Sequence, residues 1–243
     1  MPIAALKFDN VRKTYGSLAV LKGVGFEVGS GECFGLAGVN GAGKTTLIKC
    51  LLDFCALDAG RIEIAGRRST EAASRLPLAF LPERFVPPYF LRGEEFLRHV
   101  LDLYGTAYDA NRARAAAAEL DLDPAALSRP VREYSKGMTQ KLGLAACLLA
   151  EREVYVLDEP MSGLDPKARA LAKTRFRALR AAGRTLFFTS HALADIEELC
   201  DRMAILHAGE LRFEGTPGEL AARHPGRTLE QAFLGVIDDA AVA

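Results

Sequence analysis

Apolar residues recur along this chain with two periods, and the period changes where the kind of structure changes. The first 30 residues hold short alternating runs broken by glycines, which is typical of antiparallel strands joined by turns. From Glu32 onward, an apolar strand, a glycine loop and a helix with a repeating apolar face follow one another. The strands predicted in this part are residues 6–8, 18–28, 33–37, 61–64 and 78–81, with the stretch at 61–64 at a sheet edge.

Only helical patterns occur between residues 93 and 150, so a helical segment is predicted to interrupt the sheet. Beyond it, unbroken apolar runs alternate with helices, which favours a parallel sheet covered on both faces. The predicted helices are 94–103, 111–120, 136–150, 166–182, 217–223 and 228–236, and the predicted strands are 154–157, 186–189, 203–206 and 210–213.

Charge and hydropathy narrow the classes of partner. Lys+Arg and Asp+Glu both number 31, so no overall positive field draws the chain to nucleic acid, and no nucleic-acid partner is expected. The longest relevant apolar stretch is 142–150, whereas a membrane-spanning helix needs about 20 residues. The N-terminus lacks the layout of a secretory signal, and a cytoplasmic location is expected.

Cysteine usage points to a reducing compartment. There are five cysteines, an odd number with no Cys-x-x-Cys pair, and they are predicted to be free and mostly buried thiols. A metal bound by Cys50 and Cys55 is the alternative, although no histidine lies near them in the sequence.

The stretch from Gly38 to Thr45 reads GVNGAGKT and fits G-x-x-x-x-G-K-[ST] between a predicted strand and a predicted helix. Such glycines let backbone N–H groups turn toward phosphate oxygens, and the helix N-terminus adds the positive end of its dipole. Lys44 suits the β- and γ-phosphates, and the Thr45 hydroxyl suits Mg²⁺. A glycine-rich turn without a ligand is the alternative. The candidate nucleotide-binding residues are Gly38, Asn40, Gly41, Ala42, Gly43, Lys44, Thr45 and Thr46.

Two carboxylates, Asp158 and Glu159, end the apolar run at 154–157. Because ligands collect at the carboxyl ends of strands in open α/β sheets, Asp158, Gly38 and His191 are expected to converge. Asp158 suits Mg²⁺, and Glu159 suits the general base that polarises an attacking water. His191 suits a hydrogen bond to the γ-phosphate or to that water. The proline after Glu159 predicts an extended backbone there. Solvated acids at a strand end and a plain turn histidine remain alternatives.

Residues 134–140, YSKGMTQ, resemble the signature motif of the ABC ATPases. The likeness covers nearly the whole chain, because the other motifs of that family occur in the same order. These motifs are KTYG with Tyr15, the phosphate loop, Leu81-Pro82-Glu83, the signature, the acidic pair, Ser162-Gly163-Leu164-Asp165 and His191. The chain is thus similar to the ATP-binding subunits of ABC transporters.

The resemblance implies a fold class and a division of the chain. The fold is α/β, with a P-loop NTPase core of the RecA-like type, an N-terminal antiparallel β subdomain and an inserted α-helical subdomain. Residues 1–243 would form a single ABC ATPase domain. Its parts would be the core with its β lobe at 1–82 and 151–216, the helical signature subdomain at 83–150 and a C-terminal helical tail at 217–243.

The resemblance also implies a composite site, with ATP held between the phosphate loop of one subunit and the signature of another. Ser135 and Gly137 would then contact nucleotide, Ser162 and Asp165 would contact the opposite subunit, and Tyr15 would stack on adenine. Glu159, His191 and Lys44 would be the catalytic residues. The residues themselves also fit plainer roles, since Ser135 and Asp165 are good helix N-caps and Tyr15 fits an ordinary strand.

The chain departs from the family pattern at three positions. Glu83 stands where much of the family has glutamine, and a carboxylate there could face Mg²⁺ while adding negative charge. Lys136 and Met138 replace the common glycine and glutamine of the signature. These variants are similar to those of bacterial exporter-type subunits.

An aromatic and proline-rich stretch at 84–90 is predicted to be exposed between the two lobes. In the family such a groove receives a short cytoplasmic helix of the membrane partner. Packing against the helical lobe is the alternative.

The favoured hypothesis is an ATPase subunit that uses ATP and Mg²⁺, dimerises around ATP and drives a separate integral membrane permease from the inner face of the cell membrane. A soluble assembly scaffold, a DNA-repair or chromosome ATPase and a tandem translation factor are weighed against it. About 90 residues between phosphate loop and signature leave no room for the long coiled coils of the repair enzymes. Neither the substrate nor the direction of transport follows from these residues.

Overall fold

The computed structural model describes residues 3–238, and two sheets organise this part of the chain. The strands are β1 (Leu6–Tyr15), β2 (Leu18–Val28), β3 (Cys33–Ala37), β4 (Ala59–Ile64), β5 (Arg67–Arg68), β6 (Leu78–Leu81), β7 (Val154–Asp158), β8 (Thr185–Ser190), β9 (Arg202–His207) and β10 (Glu210–Gly215). The helices are α1 (Lys44–Leu51), α2 (Gly93–Leu103), α3 (Ala110–Glu119), α4 (Lys136–Leu149), α5 (Pro166–Ala181), α6 (Leu193–Leu199), α7 (Pro217–Arg223) and α8 (Leu229–Asp238).

The smaller sheet is antiparallel and has the order β2-β1-β4-β5. The larger sheet has the order β10-β9-β3-β8-β7-β6, and its strands are parallel except for the antiparallel pair of β9 with β10. This mixed α/β architecture confirms the predicted fold class. The strand at 61–64 was expected at an edge, but the two-residue strand β5 lies outside it, so that detail is wrong.

Burial explains why the two kinds of strand read differently in the sequence. Every residue of β3, β7 and β8 is buried, which produces their unbroken apolar runs. β1 was predicted only over 6–8 because its alternation breaks at irregular pairing between Phe8 and Val11, where Asn10 has a φ of 48°.

Aromatic packing joins the two sheets. The rings of Phe26 and Phe34 stack with centroids 5.1 Å apart, and Phe187 lies 5.8 Å from Phe8. One core cluster fills the space between the sheets and α1, and the other lies between the larger sheet and the remaining helices. The phosphate-loop strand β3 is therefore packed on both faces.

The predicted helices agree with the structure to within about one or two residues at each end. The exception is α6, which was not predicted because seven residues carry little periodicity, although Leu193, Ile196 and Leu199 are its buried face. The outermost residues of the expected core and tail, 1–2 and 239–243, lie outside the described residues. No helix within 3–238 is long and apolar enough to cross a membrane.

Candidate functional site

The predicted phosphate loop connects β3 to α1 and is shaped by its glycines. Gly41 and Gly43 have φ values of 82° and 110°, a region that side-chain-bearing residues rarely adopt. Gly38 lies against the backbone of Leu206 in β9, and a Cβ added to it would be 2.5 Å from the carbonyl oxygen of Leu206. Lys44 is the first residue of α1, and its Nζ donates to the carbonyl oxygen of Gly38 at 2.6 Å. The buried Lys44 ammonium thus lies within the loop.

Asp158 ends β7 beside this loop and is only 2% exposed. One carboxylate oxygen accepts from Thr45 Oγ1 at 2.8 Å, and the other accepts from Thr189 Oγ1 at 2.6 Å. Burial and both hydroxyl donors fix the carboxylate against α1. The expected meeting of the loop with the acidic strand end is present.

Glu159 follows in a left-handed conformation with a φ of 50°. The expectation of an extended backbone before Pro160 is therefore wrong. The Glu159 N–H donates to Thr189 Oγ1 at 2.9 Å, and this bond together with the buried carboxylate favours the left-handed turn. Such a conformation costs a non-glycine residue about 1–2 kcal/mol, which is a sign of functional constraint.

The Glu159 side chain lies between two basic groups. His191 Nδ1 is 2.8 Å from Glu159 Oε2, and Lys44 Nζ is 3.9 Å from Oε1. Glu159 is 7% exposed, whereas the His191 side chain is mostly exposed. The carboxylate is thereby oriented from one side by a histidine that remains accessible to a ligand.

These groups face one cavity of about 760 Å³. Its lining residues are Leu18, Val20, Val39, Asn40, Gly41, Ala42, Gly43, Lys44, Thr45, Thr46, Glu83, Asp158, Glu159, Ser162 and His191. Most candidate residues are therefore brought together. The candidates outside this lining are Tyr15, Gly38, Ser135, Gly137 and Asp165.

Tyr15 lies at the end of β1 with about half of its surface exposed. Lys13 Nζ is 5.3 Å from its ring centroid, and the neighbouring Cys55 thiol together with partial burial raises the pKa of Tyr15 to about 12. Leu18 and Val20 occupy the adjoining part of the cavity wall. Adenine stacking on Tyr15 stays a prediction that the cavity lining does not support.

Two thiols lie close together near Tyr15, and the described part of the chain places no further metal ligand beside them. Cys50 Sγ and Cys55 Sγ are 3.4 Å apart, and burial raises the pKa of Cys50 to about 12. Within residues 3–238, no group of three or more His, Cys, Asp and Glu is placed to hold a metal.

The signature segment lies on the helical lobe. Ser135 caps α4, with its Oγ accepting from the Met138 N–H at 3.2 Å, and Asp165 caps α5 by accepting from the Ala168 N–H at 2.9 Å. Both predicted caps are present. Ser135 and Asp165 are exposed, and neither they nor Gly137 reach the cavity of their own chain.

Sequence reasoning missed Thr189, which bonds to both acidic residues of the strand end. A threonine inside the apolar run before His191 was the available signal. It also missed Leu18 and Val20, because a pocket wall on β2 has no local motif.

A phosphate loop, an acidic strand end and an inserted helical lobe on an α/β core define a nucleotide-binding protein of the P-loop class. The family model described as "ABC transporter" matches residues 21–162. The chain therefore belongs to the ABC transporter family, as an ATP-binding subunit.

Curated relatives and a solved structure agree with this placement. Nod factor export ATP-binding protein I of Paraburkholderia xenovorans (strain LB400) is 38% identical over 244 residues, covering 96% of this chain and 78% of that protein. Daunorubicin resistance ATP-binding protein DrrA3 of Streptomyces coeruleorubidus is 38% identical over 237 residues, covering 95% of this chain and 74% of that protein. The structure titled "Structure of ATP binding subunit of ABC transporter" matches with a TM-score of 0.88 at 32% identity, over 96% of this chain and 99% of that chain.

Proposed function

We propose that this chain hydrolyses ATP as one half of a dimer and thereby powers a separate membrane-spanning permease. The observation that carries the proposal is the buried Glu159 carboxylate, held by His191 at 2.8 Å at the wall of the phosphate-loop cavity. A fixed carboxylate beside a phosphate cradle is well placed to polarise the water that attacks a terminal phosphate.

Three residues of the cavity, Lys44, Glu159 and His191, have a part in this reaction. Lys44 and the N-terminus of α1 attract the β- and γ-phosphates. Glu159 accepts the proton of the attacking water, a contribution typically of about 10²- to 10⁴-fold in rate. His191 holds Glu159 by donating from Nδ1 to Oε2, and its other ring nitrogen, on the exposed side, accepts from the water when the ring is neutral or donates to the γ-phosphate when the ring is protonated.

The residues around Asp158 fit Mg²⁺, which prefers oxygen ligands. Thr45 Oγ1 and the Asp158 carboxylate lie 2.8 Å apart and would hold the ion directly or through water. When bound, Mg²⁺ neutralises charge on the phosphates. Glu83 lines the same cavity and is a further candidate oxygen ligand.

A second protomer completes the site in this proposal. Ser135, Gly137 and Asp165 lie outside their own chain's cavity, and the first and last of these are exposed. The Ser135 hydroxyl and the start of α4 form a positive helix end suited to a γ-phosphate. A homodimer would place this helix end over the phosphate loop of the second protomer. Ser162 and Asp165 would then lie near the interface between the two protomers.

Mixing two inactive variants tests the two-chain site. Lys44→Ala removes the phosphate-loop charge, and Ser135→Arg obstructs the signature, so we expect each variant alone to be inactive. Mixed in equal amounts they should recover about a quarter of wild-type ATPase activity, because random pairing gives half heterodimers with one intact site each. The double variant Lys44→Ala/Ser135→Arg, mixed with wild type, serves as the control for exchange. No recovery despite demonstrated exchange of protomers would contradict the shared site.

The permease would dock on a groove of about 480 Å³ between the lobes, here called the lobe groove. Its lining residues are Glu83, Arg84, Phe85, Val86, Pro87, Tyr89, Val131, Arg132, Tyr134, Lys136, Thr139, Gln140 and Ser162. Phe85 packs on Phe96 of the helical lobe, whereas Val86 and Tyr89 are exposed and available to a partner. Glu83 and Ser162 line the groove and the nucleotide cavity alike, which supports coupling between them.

The location of the chain follows from this docking, and the type of transporter is indicated by its relatives. The chain would lie peripherally on the inner face of the cell membrane, bound to its permease. Relatives named for Nod factor export and daunorubicin resistance favour an exporter.

Polar substitutions in the lobe groove should separate docking from hydrolysis. We expect Val86→Ser with Tyr89→Ser to lower copurification with an integral membrane protein by about tenfold, because exposed apolar side chains carry such contacts. ATPase activity of the isolated chain should stay within about twofold. Leu103→Ser, equally exposed but at the end of α2 outside the groove, is the control. Unchanged copurification would remove the groove from the interface.

A further inference from the structure

Helix α4 carries two buried polar side chains one turn after its Ser135 cap. Gln140 is 6% exposed and Lys141 is 7% exposed. Gln140 Nε2 donates to the carbonyl oxygen of Pro160 at 2.9 Å, next to the proposed base. Buried polar groups of this kind need fixed partners, so their contacts restrict how α4 can lie on the core.

Lys141 contacts two separate segments of the chain. Its Nζ donates to the carbonyl oxygen of Asp121 at 2.9 Å and lies 3.4 Å from the Asp121 carboxylate. On its other side it lies 3.3 Å from Asp165 Oδ2. Because Asp165 Oδ1 accepts from the Ala168 N–H, both oxygens of this carboxylate are engaged. The Ala168 N–H and then Lys141 hold the pKa of Asp165 below its usual value, so Asp165 remains an anion at neutral pH.

The start of α4 packs on the same segment. Gly137 lies so near Gly163 that an added Cβ would be 3.2 Å from the Gly163 carbonyl oxygen. Three residues of α4, namely Gly137, Gln140 and Lys141, therefore contact the segment 160–165. These contacts hold Ser135, which caps α4, in a fixed position relative to Asp165, which caps α5. Lys141 is the one charged link in that set.

We propose that Lys141 is a positioning residue that fixes the signature helix and Asp165 in one register, so that both reach the opposing protomer together. This role rests on the proposed function, in which Ser135 and Asp165 face the second chain. A misplacement of about 1 Å at such contacts can cost two orders of magnitude in rate. The ammonium of Lys141 sets the spacing because it bonds to both flanking segments at once.

The alternative is a buried ion pair that only stabilises the fold. The two roles can be separated because the partners of Lys141 remain solvated without it: the side chains of Asp121 and Asp165 are 33% and 52% exposed. Lys141→Met keeps most of the stem and removes the charge. It should leave a folded protomer whose phosphate loop is intact.

The experiment compares Lys141→Met, Lys141→Arg and the matched control Lys167→Met. Lys167 also pairs with Asp121, but it is exposed and has no bond to Asp165 within the described residues. Each change is made in the wild-type chain for ATPase kinetics, and in a Glu159→Gln chain for sedimentation of the ATP-bound dimer. ATP binding is measured separately by fluorescent ATP at concentrations where the chain is monomeric.

We expect Lys141→Met to weaken the ATP-bound dimer and to lower kcat by about tenfold each, while ATP binding by the monomer stays within about twofold. Lys141→Arg should restore both values to within about threefold, and Lys167→Met should change none of them. Adding Lys141→Met to Asp165→Asn should cause no loss beyond that of Asp165→Asn alone, because Lys141 acts through this carboxylate.

Three results would overturn the role of Lys141. These are an unchanged dimer in Lys141→Met, an arginine variant as defective as the methionine variant, or a parallel loss of monomer ATP binding. If the Glu159→Gln chain with Lys141 intact stays monomeric in ATP, the two-chain site itself is refuted and the role of Lys141 with it. The behaviour of the Glu159→Gln chain with Lys141 intact therefore distinguishes failure of the two-chain site from failure of the role of Lys141 alone.

Discussion

Replacing Glu159 by glutamine is expected to lower ATP turnover by about 10²- to 10⁴-fold while ATP stays bound. The substitution keeps the size of the side chain but removes the proton acceptor from a group that is 7% exposed and bonded to His191. It also removes a negative charge 3.9 Å from Lys44, so attraction for the triphosphate should rise. With hydrolysis stopped and binding retained, an ATP-bound dimer should accumulate. Turnover is measured as phosphate release and the dimer by gel filtration with ATP.

The control for this change is Glu197→Gln, the same substitution at an exposed position of α6. It should leave turnover within about twofold of wild type. Undiminished hydrolysis by Glu159→Gln would remove Glu159 from the role of base. A loss of ATP binding in parallel with turnover would instead assign it to nucleotide binding.

The parts of the site that the sequence predicted are those encoded by consecutive residues. The phosphate loop could be read from Gly38 to Thr45 because each glycine serves a local backbone need, seen in the positive φ of Gly41 and Gly43. The helix caps at Ser135 and Asp165 were predictable for the same reason, since a cap bonds to an N–H three residues further on.

The parts that it could not predict depend on residues far apart in the chain. Thr189 bonds to the acidic pair 30 and 31 positions earlier, and no spacing rule marks it. The rule for residues before proline failed at Glu159 because a tertiary hydrogen bond outweighed a local steric preference. Lys141 looks like an ordinary helix residue until Asp121 and Asp165 lie beside it.

For the stretch 84–90 beside the lobe groove, the sequence predicted the exposed residues but not which residue is packed. The aromatic and proline content of the stretch 84–90 predicted exposure, and Tyr89 and Phe90 are exposed. The same stretch also had to cover the helical lobe, and Phe85 does so by packing against Phe96. Composition predicts the same exposure for every residue of a segment. In an irregular segment, however, neighbouring side chains point in different directions, so some are buried and others exposed.

Replacing Lys44 by alanine should abolish measurable ATP binding. The Lys44 ammonium lies within the phosphate loop, bonded to the carbonyl oxygens of Gly38 and Val39, and is the buried positive charge nearest to Glu159. A unit charge about 4 Å from a phosphate oxygen contributes about 4 kcal/mol at a typical protein dielectric, equivalent to about three orders of magnitude in affinity. Binding is measured by equilibrium dialysis with labelled ATP, and hydrolysis should fall with it.

Lys49→Ala is the matched control, because Lys49 is an exposed lysine in the last turn of the same helix. It should bind ATP within about twofold of wild type. The melting temperatures of both variants are compared with that of the wild type to show that they remain folded, because Lys44→Ala also removes the hydrogen bond to the Gly38 carbonyl oxygen. Micromolar binding retained by a folded Lys44→Ala chain would refute the cradle, because the neutral loop would then suffice for a triphosphate. The helix dipole alone supplies only about half a unit of charge at its end, too little to replace an ammonium group against so highly charged a ligand.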